Sequence, residues 1–169
     1  METVLEEVDF LVGEKFDTVD LLNQHSFDVF SDVTLGFLSE ISKELLNSPF
    51  VREYPDVATF AFYCREANLK VIKKSYPDSI KLQIGRGILF HIAPGNVPVN
   101  FAYSLLAGLL TGNINIVKLP SKDFEQVYII LNAIKIVLSK EKFNYYICKK
   151  CNHIFLKYIP NNLGEYYGE

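Results

Sequence analysis

The chain has 169 residues, 49% of them hydrophobic, with 17 basic and 20 acidic residues giving a formal net charge of −3. That length sets a prior of one domain with ample apolar material for a core, and the scattered charges lack the basic stripe that nucleic-acid binding requires. The apolar runs are interrupted too often to span a bilayer, and Glu2, Glu6 and Glu7 are unlike a signal peptide, so the expected compartment is the cytoplasm.

Residues 3–12, with Val4, Leu5, Val8, Phe10 and Leu11, read as a peripheral strand of ambiguous period. Residues 32–46 place Leu35, Leu38, Ile41 and Leu45 at helical spacing. Pro55 opens a second helix with Asp56 in its first turn, and Val57, Phe60, Ala61 and Cys64 keep helical spacing within residues 55–70. In that pattern Cys64 is a small core residue rather than a reactive thiolate, because a thiol in apolar surroundings is inert.

Residues 85–98 form the most informative stretch. An apolar run through Ile88, Leu89, Phe90, His91 and Ile92 leaves a strand at the turn Ala93-Pro94-Gly95-Asn96, and Pro98 supplies the fixed φ that starts a helix. The helix, residues 99–110, is apolar nearly all round and stops at Gly112-Asn113. A second strand over residues 114–119 closes at Pro120. This is one βαβ crossover, and the ends of such strands are where α/β proteins bind ligands. A last helix is expected over residues 124–141. His91, between Phe90 and Ile92, reads as a hydrogen-bonded core histidine. Asn96 has two readings: a turn residue that caps the next helix or tolerates a left-handed backbone, or an amide donor for chemistry.

Residues 87–98 followed by residues 109–126, with Pro94-x-Asn96-x-Pro98 and Gly112-Asn113 leading to Val117-Lys118, resemble the LuxC-type fatty acyl-CoA reductases of the aldehyde dehydrogenase superfamily. The resemblance spans roughly residues 56–138. It implies an α/β fold, namely a partial Rossmann-like cofactor domain of helices followed by β-α-β-α, truncated within residues 1–142. It implies a reductase that uses NADPH, with NADH as the alternative, to convert an acyl-CoA or acyl-carrier thioester to a fatty aldehyde through a cysteine thioester. Asn96 matches the amide that donates to the oxyanion and Lys118 the lysine that contacts the adenosine ribose; Ser121 and Lys122 follow it where a ribose phosphate would favour NADPH, and Ala93 and Pro94 are the other cofactor-binding candidates the resemblance implies. Leu119 intervenes where many superfamily members place proline directly after the lysine. The nucleophilic cysteine would follow the matching segment, so the catalytic half is expected to be absent, and an isolated chain to be inactive.

Residues 143–169 depart from this pattern. Cys148, Cys151 and His153 resemble the second knuckle of a small zinc ribbon that precedes class I SAM-dependent methyltransferase domains, which suggests a fused remnant. Tetrahedral zinc needs four ligands and no earlier CxxC exists, so no metal is expected. Three functions follow: part of an acyl-thioester reductase, a non-catalytic nucleotide-binding fragment or complementing subunit, and a zinc-ribbon adaptor. A truncated cofactor domain would also expose apolar surface on its last two helices, so a homo-oligomer or a complementing catalytic domain is expected as partner.

Overall fold

The computed structural model describes residues 11–12, 26–120 and 122–140. The first helix, α1 (Asp32–Asn47), begins where Ser31 accepts the Thr34 N–H at 3.2 Å and Asp32 lies against the helix dipole. Its stripe of Leu35, Leu38, Ile41 and Leu45 is buried as the spacing predicts, and each such side chain contributes about 1.5–3 kcal/mol. Just before it, Phe30 has φ +54, a left-handed conformation uncommon for a bulky residue. Three contacts hold it there. The ring is buried, its N–H donates to the Leu110 carbonyl at 2.7 Å, and the Lys73 ammonium donates to its carbonyl at 2.8 Å.

After a short 3-10 turn (Pro49–Arg52), the single helix expected over residues 55–70 is two: α2 (Pro55–Tyr63) and α3 (Glu66–Lys74). Arg65 is extended at the break, and the Asn68 amide donates to the Tyr63 carbonyl at 2.7 Å. The reason is rotational. At 100° per residue a continuous helix would carry Leu69 roughly 140° away from the Val57–Phe60–Ala61–Cys64 stripe. The break turns it back, and Leu69, Val57, Ala61 and Cys64 are all fully buried.

A second 3-10 turn (Asp78–Leu82) leads into β1 (Ile88–Ile92), α4 (Asn100–Leu110), β2 (Ile114–Lys118) and α5 (Glu125–Leu138). The strands pair in parallel from Ile88 opposite Ile114 to Ile92 opposite Lys118, which completes the βαβ unit. Gly112, at φ +73, makes the turn out of α4 that a residue with a Cβ resists. The described part is thus helices with a small parallel two-stranded sheet, compatible with the α/β class. Of residues 3–12 only Leu11 and Val12 are described, and both lie in a bend rather than a strand. Glu141 and residues 143–169 lie outside the described residues.

All the helices gather together. α1 packs on α2, α3, α4 and α5, while α4 packs on both strands. Lys140, just past α5, reaches both Glu40 and Glu44 of α1. The apolar helices therefore cover one another: Phe101, Leu106 and Leu110 of α4 and Ile130, Ile134 and Val137 of α5 are buried. Of the apolar exposure expected on those helices, Tyr128 and Ile136 of α5 remain at 50% and 40%, and on the sheet Ile88, Phe90 and Ile92 of β1 are exposed as well. Among the described residues no helix is long and apolar enough to cross a membrane.

Candidate functional site

The two parallel strands end side by side because of their register. Ile92 lies opposite Lys118, and the Ala93 N–H donates to the Lys118 carbonyl at 3.2 Å. This bond fixes the start of the turn against the last residue of β2. Ala93 is buried, whereas Pro94, Gly95, Asn96 and the Lys118 side chain are exposed.

The turn then feeds α4 without the help of Asn96. The N-cap of α4 is Val99, no side chain caps it, and Asn96 does not have a positive φ. Neither ordinary role of a turn asparagine is therefore filled. Its amide makes no hydrogen bond within the described residues and faces solvent.

Beneath the strand ends lies a polar network that sequence reasoning caught only at His91. The Asn115 amide N–H donates to the Asn113 carbonyl at 2.7 Å, which turns Oδ1 toward His91 Nε2 at 2.8 Å. Nε2 must then carry the proton. Asn113 in turn accepts the Arg86 N–H at 2.7 Å and donates to the Thr111 hydroxyl at 2.8 Å. His91 and Asn115 share a face because their strands are in register, and α4 crosses that face at Gly108. A Cβ at Gly108 would lie 1.8 Å from Asn115 Oδ1 and 3.1 Å from His91 Nε2. Asparagines at positions 113 and 115 were visible in the sequence, but their partners follow only from strand pairing and the crossing point of the helix.

Past β2 the chain turns through half-buried Leu119 and Pro120. Ser121 lies outside the described residues. The Lys122 ammonium stands over the Phe124 ring, 5.3 Å from its centre. Beside it is a cavity of about 140 Å³ lined in part by Leu119, Lys122, Asp123 and Tyr128. There the hydrogen bond to Asp123 raises the Tyr128 hydroxyl pKa above the usual tyrosine value. A larger cavity of about 460 Å³ runs between Leu45–Phe50 and α5, and neither Asn96 nor Lys118 lines it. The structure thus joins Ala93, Pro94 and Lys118 at one edge and places Asn96 on the same turn. Lys122 stands apart on the α5 approach.

No nucleophile lies among these groups. Cys64 is fully buried on the far side of α2 from solvent, and burial pushes its thiol far above the usual cysteine range. Among the described residues no cluster of three or more histidine, cysteine, aspartate or glutamate side chains could hold a metal. Cys148, Cys151 and His153 fall outside those residues.

Residues 65–148, just under half of the chain, match the model of the acyl-CoA reductase (LuxC) family. The match begins at Arg65, the break before α3, and takes in the whole βαβ unit, Asn96, Lys118, Ser121 and Lys122. It supports a LuxC-type relationship and, with it, kinship to reductases of acyl thioesters. No curated protein and no solved structure matches the chain.

Proposed function

We propose that residues 1–142 form the cofactor-facing part of an NADPH-dependent acyl-thioester reductase, a partial Rossmann-like unit of the aldehyde dehydrogenase type. The cytoplasm is taken as its compartment, and residues 143–169 as a separate tail. The observation that carries the reading is Asn96. It is exposed, caps nothing, has no left-handed backbone to justify it, and sits on the turn that Ala93 fastens to Lys118. An asparagine with no structural task beside a strand-end lysine is what an oxyanion donor next to a nucleotide requires.

The donor set suits such a nucleotide. Lys118 brings an ammonium group to the sheet edge, Ala93 and Pro94 supply backbone carbonyls for ribose hydroxyls, and Lys122 and Ser121 follow where a ribose phosphate would favour NADPH over NADH. When bound, NADPH supplies the hydride. The residues of the chain act around the acyl carbon. The Asn96 amide donates a hydrogen bond to the acyl oxygen as it gains negative charge, first when a thiolate displaces CoA to give an enzyme thioester, and again when that thioester is reduced. Removing one such donor typically costs 10²–10³ in rate. The thiolate is not Cys64, which is buried and protonated, and is assigned to a cysteine outside the described residues, in a catalytic half or a complementing domain. The burial of Cys64 also favours a second reading, in which the chain alone binds nucleotide without turnover.

Titration of the 169-residue chain with NADPH, followed by nucleotide fluorescence and calorimetry, tests the reading. Saturable one-to-one binding is expected, weakened about tenfold by Lys118→Ala, or roughly 1.4 kcal/mol, and unchanged by Asn96→Ala. Absence of binding at millimolar NADPH and NADH, or equal loss in both variants, refutes it.

A further inference from the structure

We draw no further inference here: the strongest candidate, the apolar cavity of about 460 Å³ between residues 45–50 and α5, lined by Leu45, Phe50, Ile129 and Ile136 among others, is an unpartnered groove, and nothing in the structure shows what covers it.

Discussion

Replacing Gly108 by alanine sets two effects of opposite sign against each other. Helix propensity favours alanine by about 0.8–1.0 kcal/mol in a helix interior. Packing opposes it, because the new Cβ would stand 1.8 Å from Asn115 Oδ1 and 2.8 Å from Asn115 Cγ. The amide must move by more than 1 Å, and the bonds to His91 at 2.8 Å and to the Asn113 carbonyl at 2.7 Å go with it. Overpacking of this sort costs about 1–3 kcal/mol, and each hydrogen bond lost adds roughly 0.5–1.5 kcal/mol. Packing wins, and Gly108→Ala should be about 1–5 kcal/mol less stable. Calorimetry would read this as a melting temperature lower by roughly 2–20 °C for a chain of this size. The attribution is checked with Asn115→Ala and the double variant, because removing the amide vacates the space that the methyl group invades. The two changes should then be non-additive by at least about 1 kcal/mol. A Gly108→Ala protein as stable as the parent, or the same penalty with and without Asn115, would refute the account.

Two further outcomes follow from buried and paired groups. Cys64 should resist iodoacetamide at pH 8 in the folded chain and react only as fast as the protein unfolds, because burial both shields the thiol and keeps it protonated; rapid native-state labelling at Cys64, located by peptide mass, would contradict its placement. Lys140 is held above the usual lysine pKa, first by its hydrogen bond to Glu44, against some desolvation, and then by Glu40. A raised folded-state pKa means that its contribution is fully present below about pH 10.5 and lost as pH rises through the folded value. The stability difference between the parent and Lys140→Met should therefore be larger at pH 7 than at pH 11, and a difference that grows with pH would count against the clamp.

How far the fold was legible depended on whether a signal was local. The βαβ unit announced itself through apolar runs bounded by Pro94-Gly95, Pro98, Gly112 and Pro120, and its elements fall within a residue or two of their expected bounds at β2 and α4. The stripe of α1 was equally plain. The break at Cys64-Arg65 was not, because neither glycine nor proline marks it; the need to bury Leu69 imposes it from outside the segment. Exposure of β1 was hidden for a related reason. An apolar run reads as a buried strand, and only the crossing of α4 over the His91–Asn115 face, with the other helices packed on α1, leaves Ile88, Phe90 and Ile92 exposed. Within the site, Asn96, Lys118, Ser121 and Lys122 were picked out by resemblance, since composition and spacing gave Asn96 a capping role that Val99 occupies instead.

The same geometry ties stability to the candidate chemistry. Register puts His91 opposite Val117 and Ile92 opposite Lys118, so of the two residues that α4 crosses at Gly108, His91 lies one position before the end of β1 and Asn115 three before the end of β2. That register brings Asn115 to His91, Gly108 lets α4 lie against that pair, and the same strand pairing carries the Ala93 N–H to the Lys118 carbonyl. A residue that loosens the lower layer therefore shifts the turn carrying Asn96, although it touches neither Asn96 nor Lys118. Gly108→Ala should consequently weaken nucleotide binding in the folded protein as well as lower its melting temperature, and Asn115→Ala should loosen the turn to a smaller degree, because it removes the contact without forcing the helix away.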